Sequence, residues 1–336
     1  MPPCRFAYRR RLGRRAGHQP AAGFTPKLGG RLRHGRRMPI LLLMKHAGGK
    51  NEHGLAYSAR RDLLILASGV LPALLLGVAW MRQTGVPSTV FLQNLCAVVI
   101  GGAIAVCGLR RHVSPSGGLA VTAIAVALLL ATLIGHGMQG VHRWIKIGPL
   151  SFHVASIVIP LVLVELDRLL RHERLSIVLS VLMVTAGTLT FQPDAGQATA
   201  FAGAGVALLA LNEKRLRVTV GATLALLALA GASFLRSDPL APVPYVEEIA
   251  IRIGQRGAAS AAGVVIALAL LIVPFVLQTV RTSKPAAVSV AVYLSLCIAA
   301  SCWGNFPVPI LGYGVSPIIG YLAGWTWLRA AGPTVL

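Results

Sequence analysis

The sequence predicts an all-α polytopic membrane protein with about ten transmembrane helices and both termini in the cytoplasm. Three observations point there: a charge-poor composition, a series of helix-length apolar runs, and an uneven division of Lys and Arg among the connections. Of 336 residues, 55% are apolar and 12% charged, and the mean hydropathy is +0.71. Soluble domains carry about 25% charged residues, and no polar surface could cover so many apolar helices in water. A span needs about 20 apolar residues, with roughly 17 to 25 tolerated. Such runs occupy 63–81, 89–109, 118–135, 154–169, 176–192, 197–212, 218–235, 258–278, 286–303 and 310–328.

Charge tests this count. With a cytoplasmic N-terminus the inner connections hold 11 Lys and Arg, from Arg110 and Arg111 through Lys214, Arg215 and Arg217 to Arg329. The outer ones hold six: Arg82, Arg143, Lys146, Arg236, Arg252 and Arg256. Positive residues retained inside orient a membrane protein, and one helix more or fewer midway would spoil the bias. The last run follows G-N-F-P-V-P-I-L-G-Y-G-V-S-P (Gly304 to Pro317), with three prolines and three glycines. Such breaks free backbone groups that only protein or water can satisfy, so the last helix is expected to be broken by Pro and Gly and to line a cavity.

Residues 1–61 form a separate region, ahead of a transmembrane domain over 62–336. They carry 15 Lys and Arg against one acid, Glu52. Basic, Gly-rich and poor in apolar residues, this tail is expected to be disordered. Its charge suits nucleic acid or anionic lipid. A translation start assigned too early is the competing explanation, since Met38 and Met44 lie downstream of R-R-L-G-R-R and R-L-R-H-G-R-R. Pro39 to Met44 is too short for a signal peptide. The expected partners are the membrane and its lipids, not nucleic acid.

Chemistry-bearing residues gather in four segments on the expected outer side. The Arg143-Trp144 pair beside a bilayer suits an anionic lipid head group, although the same residue types also serve as plain interfacial anchors. F-Q-P-D-A-G-Q (Phe191 to Gln197) holds Asp194, the Ser237 to Gly257 stretch holds Glu247 and Glu248, and the Pro-rich segment holds Tyr313. The two glutamates read either as acid–base groups or as a solvated pair favoured by a helix dipole. Other patterns fail. G-H-G-M-Q-G (Gly135 to Gly140) fits a dinucleotide fingerprint but follows a membrane helix instead of a strand. His136, His142 and His153 match no ligand spacing, so no metal site is expected. Cys96, Cys107, Cys297 and Cys302 lie in apolar runs as packing residues. Asp167 and Arg171 read as a surface pair worth little.

Three segments resemble the signatures of the SEDS family (shape, elongation, division and sporulation proteins such as FtsW and RodA). H-R-W-I-K-I-G-P-L-S-F is similar to R-R-W-I-x-x-G-x-x-x-F through Arg143, Trp144, Ile145, Gly148 and Phe152. F-Q-P-D-A-G-Q resembles L-Q-P-D-x-G-T through Gln192, Pro193, Asp194 and Gly196. F-P-V-P-I-L-G-Y-G-V-S resembles I-P-L-P-F-I-S-Y-G-G-S through Pro307, Pro309, Tyr313, Gly314 and Ser316. Two departures stand out. Ser156 and Ile159 occupy the places of a Glu and a Lys in the family's Q-P-S-E-x-x-K, and Glu247 stands opposite a catalytic Asp.

The resemblance implies a peptidoglycan glycosyltransferase of the bacterial inner membrane. Its substrate would be lipid II or a similar polyprenyl-pyrophosphate saccharide, and its partner a class B penicillin-binding protein transpeptidase. On that reading Glu247, or Glu248 if the alignment slips, takes the proton of the attacking sugar hydroxyl. Arg143 and Trp144 meet the pyrophosphate, Asp194 orients Arg143 or a cation, and Tyr313 contributes to substrate binding. No cofactor is implied, although a divalent cation would balance charge on the leaving group. The lost Glu and Lys support an alternative: a catalytically degenerate relative that binds or moves a lipid-linked saccharide, or scaffolds a wall-synthesis complex.

Overall fold

The computed structural model describes residues 40–108, 114–135, 137–282, 284–303 and 306–330, with only the backbone described for 40–59, 115–116, 281–282 and 303. The tail over 1–39, and with it most of the expected disordered segment, lies outside the described residues. The chain divides into Met1–Asn51 and Glu52–Leu336. Every site residue lies in the second unit.

Each of the ten apolar runs overlaps one long helix, the last of them helical only from Val315 onward. These are α1 (Ile40–Gln83), α2 (Ser88–Gly108), α3 (Pro115–Thr132), α4 (Val154–Arg171), α5 (Leu175–Phe191), α6 (Ala195–Asn212), α7 (Leu216–Ser233), α9 (Ala258–Thr282), α10 (Pro285–Trp303) and α11 (Val315–Ala330). A single short helix, α8 (Ile249–Gly254), interrupts the connection between α7 and α9. Among the described residues six helices are long and apolar enough to cross a membrane: those of α1, α2, α6, α7, α9 and α10. α3 and α5 are apolar but shorter, and α4 ends in Glu165, Asp167, Arg168 and Arg171. The protein is thus an all-α polytopic membrane protein with several transmembrane helices.

α4 is the central element. Thirteen of its residues are buried, from Val154 to Leu169, and it packs against α3, α5, α6, α10 and α11. Its contact with α11 depends on close backbone approach: a Cβ at Gly320 would meet the Ser156 carbonyl, and one at Gly324 would lie 2.6 Å from Pro160 Cβ. Small residues at such crossings let helices pack without the bulk that lipid tails could equally satisfy.

The expected outer loop between α3 and α4 is a β-hairpin. β1 (Trp144–Ile147) and β2 (Leu150–His153) pair antiparallel, with Trp144 opposite His153 and Ile147 opposite Leu150. Gly148 takes φ +58, the positive value that two-residue hairpin loops require at their first position. The hairpin ends directly at α4, whose N-cap is His153.

The Pro-rich segment before α11 is not a broken helix but an irregular stretch ahead of a shorter one. Its backbone is satisfied by protein: Val308 N–H donates to the Val246 carbonyl at 3.1 Å, and Tyr313 N–H to that of Tyr245 at 2.8 Å. Asn94 of α2, fully buried, donates to the Gly312 carbonyl at 3.1 Å and accepts from Gly314 N–H at 3.0 Å. Val308, Ile310 and Leu311 are buried beneath these bonds. This coverage is the condition under which irregular backbone survives at membrane depth.

At the opposite end from the hairpin, charge is also buried. Asp62 pairs with Arg329 at 2.6 Å, and Glu165 with Arg168 at 2.8 Å. Asp167 and Arg171 do not form a surface pair as expected. Asp167 is fully buried, bonded to Arg171 and to Asn212 Nδ2 at 3.2 Å. The correction arises because α6 carries Asn212 against this end of α4.

Candidate functional site: a charged cavity at the hairpin end

Three connections bring five polar groups together at the hairpin end. The turn from α5 into α6 supplies Asp194 as the N-cap of α6, where its Oδ1 accepts Gln197 N–H at 3.2 Å. A capping aspartate meets an unsatisfied N–H and the positive end of the helix dipole. The hairpin supplies Arg143, one residue before β1, and His153, the last residue of β2. The α7–α9 connection supplies Asp238 and Glu247.

Arg143 is the hub. Its side chain is 6% exposed, so its charge must be met locally. Nε donates to the Gln192 carbonyl at 3.2 Å, and Nη2 donates to the Pro193 carbonyl and to Asp238 Oδ2, the latter at 2.7 Å. Asp194 Oδ2 lies 3.8 Å from Nε. The guanidinium stands 5.9 Å from the Trp144 ring centroid, at the edge of cation–π range.

Asp194 Oδ2 also binds His153 Nε2 at 2.9 Å, and His153 Nδ1 meets Ser156 Oγ at 2.7 Å. An ionised carboxylate only accepts, so Nε2 carries the proton and Nδ1 faces the serine hydroxyl. The Trp144 and His153 rings, opposed by the hairpin register, lie edge to face at 5.8 Å. The polar chain continues inward: Gln197 Nε2 reaches Ser156 Oγ at 3.4 Å, and Tyr293 of α10 donates to Gln197 Oε1 at 2.5 Å. Burial pushes the Asp194 carboxyl up, but the bond from His153, the Arg143 charge and the Gln197 amide together bring it below the ordinary value.

Glu247 lies in the α7–α9 connection, accepting Val243 N–H at 2.7 Å. Burial raises its pKa, and the Asp238 charge adds to that, against the amide bond and Arg143, which lower it. A base with a raised pKa is better matched to neutral pH than an ordinary carboxylate. Glu248 is elsewhere. It forms an i,i+4 pair with Arg252 at 2.6 Å and is one-third exposed.

Arg143, Trp144, His153, Asp194, Asp238 and Glu247 line one cavity of about 150 Å³. A neighbouring cavity of about 320 Å³ shares Trp144, His153 and Glu247 and adds Tyr313, whose hydroxyl donates to Gln93 Oε1 at 2.7 Å. Five of the six expected site residues therefore face two adjoining cavities, and Glu248 does not. His153 and Asp238 were missed. His153 carries one signal, its place directly after the motif phenylalanine; Asp238 carries none, because its role comes from chain folding. His142 binds the Gly135 carbonyl at 2.9 Å, and His136 lies outside the described residues. Among the described residues no group of three or more His, Cys, Asp and Glu is placed to hold a metal.

Residues 61–240, more than half of the chain, match the family model for FtsW, RodA and SpoVE, described as cell cycle protein. No curated protein matches. Among solved structures, the chain is similar to the rod shape determining protein RodA of Thermus thermophilus, with TM-score 0.61, 17% identity, and coverage of 80% of this chain and 94% of that one. A single-site variant of the same protein gives TM-score 0.58 at 15% identity, covering 82% and 95%. A peptidoglycan synthase complex, described as coordinating polymerization and crosslinking, gives TM-score 0.56 at 16% identity, covering 82% and 96%. At these identities the structures establish the shared fold. The chain is a divergent member of the FtsW/RodA/SpoVE family, multi-pass membrane proteins of bacterial cell shape and division that belong to the peptidoglycan synthesis machinery.

Proposed function

We propose that this protein is a peptidoglycan glycosyltransferase acting on a polyprenyl-diphosphate-linked saccharide such as lipid II, at the outer face of the inner membrane. Ten spans would set the hairpin end outside. The observation that carries the reading is the meeting of Arg143, Asp194 and Glu247 on one cavity. In this mechanism Arg143 binds the diphosphate, with Trp144 at its side, and Asp194 holds Arg143 and His153 in place. Glu247 takes the proton of the acceptor hydroxyl as that oxygen attacks the anomeric carbon, and the C–O bond to the diphosphate breaks. Tyr313 contacts the saccharide from the adjoining cavity. An apolar cavity of about 550 Å³, lined by α2, α11, Leu150 and Phe152, shares Gln93 and Phe152 with the Tyr313 cavity. It suits the prenyl chain of the same substrate.

By analogy with the crosslinking complex, a class B penicillin-binding protein is the proposed partner. A second reading, a non-catalytic relative that binds or scaffolds, is favoured by Ser156 and Ile159. Ser156 is engaged by His153, and Ile159 is wholly buried, so neither supplies the charge that the family motif places there. Lipid II given to the purified protein, alone and with candidate transpeptidases, separates the two. Glycan chains on a gel support the enzyme; intact lipid II that stays bound to the protein supports the scaffold.

A further inference from the structure

Arg143 meets two carboxylates, and they are not equivalent. Asp194 is 4% exposed, caps α6, holds His153 and lies 3.8 Å from the guanidinium. It is part of the framework. Asp238 is 30% exposed, makes the shorter 2.7 Å contact, and sits in the irregular stretch between α7 and α8. Its other oxygen accepts Leu240 N–H within its own loop at 3.1 Å. That loop also supplies Leu240, Ala241, Pro242 and Val243 to the cavity wall. An anion approaching Arg143 through the cavity therefore finds a carboxylate already seated.

We propose that Asp238 is an internal anion that occupies Arg143 until a diphosphate head group displaces it, and so sets the affinity threshold of the site. The inference rests on Arg143 being the head-group ligand, as proposed above. A tethered carboxylate competes at high effective concentration. When only a fraction of molecules have Arg143 free, the apparent Kd of every anion rises by the inverse of that fraction. Singly charged phospholipid head groups, abundant around the protein, then fall below the threshold. A diphosphate carries more charge and more acceptor oxygens for charge-assisted bonds, and it passes. Removing the competitor improves binding of all anions by one common factor. Loss of a direct substrate contact, or damage to the fold, would do the reverse.

The test measures binding of farnesyl diphosphate and of phosphatidylglycerol to the full chain in detergent. The proteins compared are the unmodified chain, Asp238→Asn, Asp238→Ser, Arg143→Ala and the Arg143→Ala/Asp238→Asn pair. Both Asp238 variants should tighten both probes by the same factor, about tenfold or ~1.4 kcal/mol, and the double variant should lose that gain. Diphosphate binding that depends on Arg143 but is unchanged or weaker in both Asp238 variants overturns the inference and leaves the head-group reading standing. Binding that Arg143→Ala does not alter overturns both.

Discussion

Arg143 is buried, yet four oxygen-bearing groups surround it, two of them backbone carbonyls of the α5–α6 turn. Truncating it leaves those acceptors and Asp194 facing one another, so Arg143→Ala should weaken binding of a diphosphate lipid by at least about tenfold. The loss arises because a desolvated charged partner typically costs roughly 2–5 kcal/mol to remove. Equilibrium binding with the unmodified protein as reference checks this. Asp194→Ala removes the acceptor that His153 and Arg143 share. Breaking a buried pair from one side costs about 3–5 kcal/mol, and a lower melting temperature in detergent should report it. With Glu247 as the proposed base, its carboxyl sets the pH dependence. Its raised pKa means that it protonates sooner than an ordinary glutamate as pH falls. The acidic limb of the activity profile should therefore lie at a higher pH than an unperturbed glutamate would set, with activity lost below that limb and retained above it. Arg143, Asp194 and Glu247 could be singled out in the sequence because each lies in a segment that resembles a family motif. His153 and Asp238 were not, because chain folding brings His153 to Asp194 and, across 95 residues, Asp238 to Arg143.

Helix-length apolar runs are the strongest signal a membrane sequence carries, and a helix forms over most of each such run. The two elements misread were those where length and breaks mislead. Strands of four residues around Gly148 and Pro149 look like a loop in sequence, yet they fix Trp144 against His153. The segment before α11 looks like an interrupted helix, but Asn94, Tyr245 and Val246 satisfy its backbone and let α11 start at Val315. Asn94 itself could not be singled out: a polar pair, Gln93 and Asn94, in an apolar run gives no clue to a partner 218 residues away. The α4–α11 crossing supports the site from below, since Gly320 abuts the Ser156 carbonyl. Gly320→Leu forces bulk into that contact. Overpacking of this kind costs typically 1–3 kcal/mol, and here it should also displace His153, the N-cap of α4. Reduced thermal stability together with reduced lipid binding is expected; Gly221→Ala, at a helical position with open space around it, serves as the contrasting substitution for packing.

The whole chain is organised by charge at its two ends. The pairs Asp62–Arg329, Glu165–Arg168 and Asp167–Arg171 close the end opposite the hairpin, and the loop Lys and Arg residues are divided unequally along the sequence. If ten spans carry this asymmetry, reporter fusions after Arg174 and after Asp238 should report opposite sides of the membrane. Same-side signals would contradict the count. The described residues that line the cavity lie between Met138 and Pro307, so deleting residues 1–37 should leave insertion and substrate binding intact by membrane fractionation and binding assay. Glu247, beside Arg143 and Asp194, is proposed as the proton acceptor in glycosyl transfer. Lipid II polymerisation by Glu247→Gln, measured beside the unmodified protein with lipid II binding recorded in parallel, tests it most directly. The account predicts binding within a few-fold of normal and polymerisation reduced by about 10²–10⁴-fold, the usual contribution of general base catalysis; polymerisation at the unmodified rate would contradict it.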